Sequence, residues 1–197
     1  IYASTMSVYG NQPDGPVFEE DETIPESFYA VGKLASERYM KIFSNYGISC
    51  TSLRLFNVYG PGQNMENMKQ GMVSIFLSQA LRQKKIHVKG SKDRFRDMVY
   101  IDDVVEAFKI AFHINASKFR IYNVCSGVKT SVEEVIRLIQ LNLPYQISII
   151  YKGSTPGDIH GIYGSCDKIK KELLWNPKTS FKDGLIKMIK YNKWKIK

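Results

Sequence analysis

The stretch S-F-Y-A-V-G-K-L-A-S-E-R-Y-M-K-I-F-S-N-Y, residues Ser27 to Tyr46, decides how the rest of the chain is read. It predicts a helix over 28–46. Ser27 is a good N-cap, Gly47 a good stop, and no proline interrupts. Val31, Leu34, Ala35, Tyr39, Ile42, Phe43 and Tyr46 recur at three- and four-residue steps and make one apolar stripe. Tyr29 and Lys33 are four residues apart near the helix start, so they share a face and their heads can meet. A phenol beside an ammonium is a usable acid–base device, because the positive charge favours the phenolate. Alone, Y-x-x-x-K is common on helix surfaces, so its meaning depends on the rest of the chain.

Three other blocks follow a fixed order around it. I-Y-A-S-T-M-S-V-Y-G (Ile1–Gly10) is a short apolar run ending in hydroxyls. C-T-S-L-R-L-F-N-V-Y-G-P-G (Cys50–Gly62) is a strand rich in β-formers followed by a turn. R-F-R-D-M-V-Y-I-D-D (Arg94–Asp103) is a strand running into a helix. With Y-x-x-x-K, this series resembles the extended short-chain dehydrogenase/reductase family, in its nucleotide-sugar epimerase/dehydratase branch. The resemblance runs from Ile1 to about Trp194. It implies an α/β fold: the C-terminal part of a Rossmann-type doubly wound parallel sheet plus a smaller α/β substrate-binding lobe. Residues 1–62 are expected in the NAD-binding part and 63–197 mostly in the nucleotide-sugar lobe, with about 94–124 returning to the first. A Rossmann half holds the dinucleotide pyrophosphate on a Gly-rich turn between strand and helix. This chain contains no such turn, and the family places it ahead of Ile1. The expectation is therefore the C-terminal portion of a longer protein, whose activity belongs to the whole.

The totals exclude several classes. The chain has 197 residues, 44% hydrophobic and 24% charged, which describes a globular domain. No apolar run is long enough to span a membrane, and a cytoplasmic enzyme without a membrane partner is expected. Cys50, Cys125 and Cys166 are far apart and odd in number, which fits reduced thiols. His87, His113 and His160 are scattered, so no metal site is expected. The net charge of +9 invites a nucleic-acid reading, but much of the lysine excess lies in the last thirty residues, on the outer face of terminal helices. No nucleic-acid partner is expected.

The remaining elements read as follows: a polar loop over 11–26, a helix over 72–83, a strand over 86–89, and a helix after Asp102 with Asp102 as its cap. Then come a strand over 120–124, a Ser131–Glu134 capping box opening a helix through Ile139, and a strand over 146–151. A short helix over 167–174 and a terminal helix over 180–193, with Leu185, Ile186 and Ile189 inward, end the series.

The resemblance assigns the site residue by residue. Thr5 matches the Ser or Thr that hydrogen-bonds the reacting sugar hydroxyl; satisfying a strand end is its structural alternative. Tyr29 is the proton acceptor, and Lys33 holds the NAD ribose. Leu55 and Val58 bring backbone towards nicotinamide. Asn57 donates to the substrate diphosphate, and Arg96 grips it, since a guanidinium fork suits two phosphate oxygens. Val73, at the start of the helix over 72–83, and His87, on the next strand, lie where the nucleotide base is held; His87 is equally readable as an exposed strand residue. Asp158 is a further substrate contact, and Ile162 falls near a position whose bulk affects an N-acetyl group. Arg54, Asp97 and Asp102 read as structural or capping.

Two departures matter. Dehydratases of the branch carry Asp-Glu just after the Thr, where this chain has Met6-Ser7. Many relatives carry a second phosphate arginine where this chain has Thr155. The implied activity is NAD-dependent epimerisation at C4 of a nucleotide sugar, UDP-glucose to UDP-galactose, by a homodimer joined through the helix over 28–46. The alternatives are a UDP-N-acetylhexosamine epimerase, a decarboxylase, a dehydratase or a reductase of the same branch, or a non-catalytic nucleotide-sugar or dinucleotide sensor.

Overall fold

The computed structural model describes residues 1–12, 15–114, 118–153 and 160–193. The chain starts on β1 (Tyr2–Thr5), turns through a 3-10 segment (Met6–Tyr9), touches β2 (Pro16–Val17) and enters helix α1 (Phe28–Ser44). Strands β3 (Thr51–Leu55) and β4 (Asn57–Tyr59) follow, then helix α2 (Met72–Gln83), β5 (Lys85–Val88), β6 (Phe95–Tyr100) and helix α3 (Ile101–Phe112). Next come β7 (Arg120–Val124), β8 (Lys129–Ser131), helix α4 (Val132–Leu141), β9 (Ser148–Tyr151) and β10 (Gly161–Gly164). Helices α5 (Asp167–Leu173) and α6 (Phe181–Lys193) complete the described chain.

Among the described residues the strands form three sheets. The first runs β1-β3-β7, wholly parallel, with Ser4 opposite Arg54 and Arg54 opposite Asn123. Parallel neighbours need crossovers, and α1 supplies the one from β1 to β3. The second runs β2-β10-β6-β4, also parallel, with β8 antiparallel on β6. The third pairs β5 with β9. The chain steps from the first sheet into the second at Phe56, whose N–H still donates to Val124 O at 3.1 Å. Asn57 therefore opens β4 while remaining at the carboxyl end of β3, where open α/β sheets place ligands. This arrangement is the mixed, mainly parallel α/β architecture of a Rossmann-like fold.

Two cores hold it. One gathers Leu77, Ile86, Ile139, Leu185 and Met188 between α2, β5, α4 and α6. The other gathers Val8, Leu53, Tyr122, Val124 and Trp175 around the first sheet. Trp175 is 1% exposed, and its indole N–H donates to Asp103 O at 2.9 Å. The Asp103 carboxylate takes the N–H groups of Lys178 and Thr179 at 3.0 and 3.1 Å, fixing the chain that leads into α6.

Most elements fall where the sequence places them: α2 and β7 coincide with 72–83 and 120–124. Ser27 caps α1 by accepting from Ala30 N at 3.2 Å. Ser131 caps α4 by accepting from Glu134 N at 3.0 Å, while the Glu134 carboxylate pairs with Arg137 one turn on.

Three expectations need correction. Asp102 is not the cap of α3: the N-cap position belongs to Tyr100, and Asp102 sits in the first turn, where the helix dipole favours an anion. Gly161 to Gly164 forms β10, and β2 and β8 also form in stretches that carry no strand signal. Each exists because a partner strand offers its free edge. Met188, rather than Ile186, shares the inward face of α6 with Leu185 and Ile189. Most of the apolar stripe of α1 does not face its own sheet, as a stripe open to a second subunit would not. Val31, Tyr39, Ile42, Phe43 and Tyr46 are each more than half exposed, Leu34 is half-buried, and the buried positions are Ala30, Glu37 and Ser44. The Glu37 carboxylate meets Arg54 on β3, so the interface between helix and sheet is largely polar.

Candidate active site

A cavity of about 530 Å³ opens at the carboxyl ends of β1 and β3. That volume lies in the range of small-molecule sites. Each wall comes from a different element. β1 and the 3-10 turn supply Ser4, Thr5, Met6 and Ser7. α1 supplies Tyr29 and Lys33. The β3–β4 step supplies Leu55, Asn57 and Val58, and the start of α2 supplies Val73.

Thr5 ends β1 and caps the 3-10 turn, because its Oγ1 accepts from Ser7 N at 3.2 Å. The same oxygen lies 3.2 Å from Ser7 Oγ, and the residue is 7% exposed. The strand-end role and the cavity position are therefore both real. Tyr29, in the first turn of α1, is 58% exposed and projects at the cavity mouth. Lys33 reaches back to β1, where its Nζ donates to Ala3 O at 2.7 Å. The ammonium lies 5.7 Å from the Tyr29 ring centroid and 4.9 Å from that of Tyr2. Phenol and ammonium thus share a face, as the four-residue spacing requires.

Asn57 is oriented by its own amide. Nδ2 donates to Asp97 O at 3.1 Å and approaches Met6 Sδ at 3.7 Å. The Asp97 carboxylate ties the loop after β7 and the end of β10 to β6. It accepts from Ser126 N and Oγ, both at 2.7 Å, from Gly127 N at 2.9 Å and from Gly164 N at 3.2 Å. Burial pushes its pKa up, and these donors pull it partly back.

Of the residues singled out in the sequence, Thr5, Tyr29, Lys33, Leu55, Asn57, Val58 and Val73 converge on this one cavity. Arg96 lies on β6 outside its lining; its Nη1 donates to Phe95 O at 2.7 Å and to His160 O at 3.4 Å, and burial lowers its pKa. His87 lies on the exposed face of β5, with its backbone N–H on Gln79 Oε1 at 2.8 Å. Ile162 is buried on β10 opposite Arg96. Asp158 and Thr155 lie outside the described residues. Arg54 and Asp97 lie outside this lining and spend their side-chain groups on protein partners.

Two cavity residues carry no sequence signal beyond their polarity: Ser4, on β1, and Gln63, after the Gly60-Pro61-Gly62 turn. Among the described residues, Ser4 Oγ and Gln63 Oε1 are the buried side-chain oxygens and nitrogens without a protein partner, and both residues line this cavity. Buried polar atoms need partners, and a ligand that carries hydroxyl or amide groups would meet these two. A nicotinamide riboside or a sugar ring fits that description, and the Lys33 ammonium and Tyr29 hydroxyl suit a diol. No group of three or more His, Cys, Asp and Glu residues able to hold a metal occurs among the described residues. No described helix is long and apolar enough to cross a membrane.

The fold and the site together define a Rossmann-like α/β chain with a tyrosine and a lysine, one helical turn apart, lining a cavity at the carboxyl ends of its strands. The profile of the NAD-dependent epimerase/dehydratase family matches residues 1–125. The chain is 30% identical over 191 residues to the dTDP-4-dehydro-6-deoxyglucose reductase of Escherichia coli, covering 96% of this chain and 60% of that protein. It is 31% identical over 190 residues to the UDP-glucose 4-epimerase of Mycolicibacterium smegmatis, again covering 96% and 60%. In three dimensions it matches the UDP-glucose 4-epimerase of Thermotoga maritima, solved with UDP-glucose, at a TM-score of 0.93 and 31% identity, over 99% of this chain and 63% of that one. This chain belongs to the NAD-dependent epimerase/dehydratase family. It spans about 60% of the length of these relatives.

Proposed function

We propose that the whole protein epimerises a nucleotide sugar at C4, with UDP-glucose and UDP-galactose as the substrate pair. The family is NAD-dependent, and NAD, when bound, supplies a reversible hydride acceptor beside the sugar. Lys33, Leu55 and Val58 would hold its nicotinamide riboside end. Tyr29 removes the C4 hydroxyl proton and later returns it. Lys33 keeps a positive charge on the same helix face as the phenol. Thr5 orients the C4 oxygen. Asn57 and Arg96 hold the diphosphate, so the nucleotide stays fixed while the 4-keto sugar turns over. Val73, His87 and Asp158 serve the nucleotide side. Residues 1–62 belong to the NAD part and 63–197 mostly to the sugar part, with about 94–124 returning to the first. The outward apolar stripe of α1 joins two copies in a cytoplasmic homodimer.

The observation that carries this reading is the wall formed by Met6 and Ser7. Both line the cavity directly after Thr5, beside Tyr29 and Lys33. Eliminating water across a sugar ring needs an acid and a base beside it. A thioether and a hydroxyl supply neither, whereas oxidation at C4 asks the protein only for a group to take the hydroxyl proton, here Tyr29, with the hydride going to NAD when bound. A second reading, reduction of a 4-keto nucleotide sugar, has the Escherichia coli relative in its favour.

The test incubates the full-length protein with UDP-glucose and with UDP-N-acetylglucosamine, without added reductant, and follows the anomeric protons by NMR. The galacto-epimer of either one supports the reading and chooses the sugar. No change in either, with NAD still bound, refutes it. Net consumption of a reduced nicotinamide with a 4-keto sugar establishes the reductase instead.

A further inference from the structure

Arg54, on β3, touches both segments that carry the reacting groups. Its Nε and Nη2 donate to the two carboxylate oxygens of Glu37 at 3.1 and 2.8 Å. Glu37 lies one helical turn beyond Lys33 on α1. The other side of the guanidinium lies over the Tyr9 ring, 4.7 Å from its centroid. Tyr9 ends the 3-10 turn that Thr5 begins, and its hydroxyl donates to Asn123 Oδ1 at 2.6 Å. Nη1 donates to Glu19 O at 3.2 Å. Arg54, Glu37 and Tyr9 are 2%, 1% and 0% exposed.

A buried ion pair is a weak source of stability, since apolar side chains of the same volume do as well or better. Its distinctive property is geometry. A two-point guanidinium–carboxylate pair fixes distance, plane and register together, which greasy packing does not. The buried positions of α1 are Ala30, Glu37 and Ser44, and none of them is a large apolar side chain. Leu34 packs on the core and Ser52 Oγ donates to the same Glu37 carboxylate at 3.2 Å, but among these contacts the two-point pair with Arg54 is the one that fixes the height of α1 along β3 by its geometry. The flat face of the same guanidinium sets the 3-10 turn.

We propose that Arg54 is a positioning residue of the reaction. Through Glu37 on one side and Tyr9 on the other, it sets the spacing between Tyr29 and Lys33 on α1 and Thr5 at the end of β1. This rests on the catalytic reading of those three residues. Misplacing reacting groups by about 1 Å can slow a reaction on the order of a hundredfold without changing what binds.

The test uses the full-length protein with three variants: Arg54→Lys, Glu37→Gln, and the paired Glu37→Leu/Arg54→Met. In Arg54→Lys and Glu37→Gln, kcat falls about 10- to 100-fold while KM for the nucleotide sugar stays within about twofold. In the paired variant the Tm returns to the wild-type value, because apolar groups replace the ion pair, yet kcat stays low. A kcat that recovers with Tm, or a KM that rises as kcat falls, overturns the proposal. Hydrogen exchange supplies a readout independent of turnover. Amides of 4–9 and 28–36 exchange faster together in Arg54→Lys, while those of 72–83 are unchanged. Unaltered exchange in either of the first two segments also overturns the proposal. Should the wild type turn over no nucleotide sugar, the proposed function fails, and the exchange result alone decides the role of Arg54. Should the paired variant fail to fold, the kcat–KM split and the exchange in Arg54→Lys decide it.

Discussion

Lys33 on α1 donates through Nζ to the carbonyl oxygen of Ala3 on β1, at 2.7 Å. The ammonium is thereby held between the end of a strand and the Tyr29 ring, 5.7 Å from that ring's centroid. Its charge is fixed beside the phenol before any ligand binds. Lys33→Met keeps the aliphatic stem and removes the charge and the tether. Turnover is expected to fall about 10²- to 10⁴-fold, the range for losing part of a proton-transfer set. The protein stays folded, because the bond lies at the surface. Steady-state rates and circular dichroism check both halves of that expectation.

The apolar stripe on α1 predicts self-association. Tyr39, Ile42 and Phe43 are 64%, 53% and 53% exposed and lie on one face of α1. Contiguous exposed apolar surface of this kind marks an interaction site. Tyr39→Arg with Ile42→Glu is expected to convert a dimer into a monomer, weakening association at least about 100-fold, since central aromatic anchors carry most interface energy. Light scattering of the full-length protein reads the mass directly. A monomeric wild type would remove the proposal.

Asp97 predicts a large stability effect far from any reacting atom. Four donors from Ser126, Gly127 and Gly164 converge on its two carboxylate oxygens. Asp97→Asn points an amide N–H₂ at some of them, leaving buried groups unpaired at a cost of about 2–4 kcal/mol. Asn57, held by the Asp97 carbonyl, loosens as the strand shifts. The urea midpoint should drop, with KM for the nucleotide sugar rising in parallel.

Glu19 predicts a pH dependence. It is 7% exposed, and its carboxylate accepts from Asn123 N at 2.7 Å. Burial raises its pKa, and the Asn123 N–H and Lys168 only partly offset that. A carboxyl whose folded pKa lies above its unfolded value binds its proton more tightly in the folded state. Its favourable contribution is complete below the unfolded pKa and is lost as pH rises through the folded one. Glu19→Gln keeps an oxygen acceptor and removes the charge. Its Tm is expected to exceed that of the wild type at pH 8, with the gap closing as pH falls towards about 4.3, the unfolded glutamate value. Thermal scans across that range measure the gap, and a gap that widens on acidification would contradict the assignment.

Much of this site is legible in the sequence alone, because its signals are local. A Ser cap, a four-residue Tyr–Lys spacing and a glycine stop place Tyr29 and Lys33 on the first turns of one helix, whatever surrounds it. The strand over 120–124 and the helix over 72–83 are legible for the same reason: periodicity of apolar residues reports burial along one element. Asp102 shows the limit of this reasoning. An acidic residue at a helix start is a good cap by type, yet the backbone enters α3 two residues earlier, and its neighbour Asp103 makes the tertiary bonds.

The sequence by itself determined the order of the elements, the pairing of Tyr29 with Lys33, and the resemblance to the family to which the chain belongs. Only the tertiary structure decided which face of α1 turns inward. Periodicity shows that a stripe exists but not what lies opposite, and here β3 presents the Arg54 guanidinium, which selects Glu37 over the apolar side. The strands β2, β8 and β10 are likewise tertiary facts, since segments of two to four residues are strands only when a neighbour completes their hydrogen bonds. Convergence of Ser4, Thr5, Asn57 and Gln63 on one cavity is of the same kind. It depends on the chain crossing from one sheet to the next at Phe56, a step no local signal records.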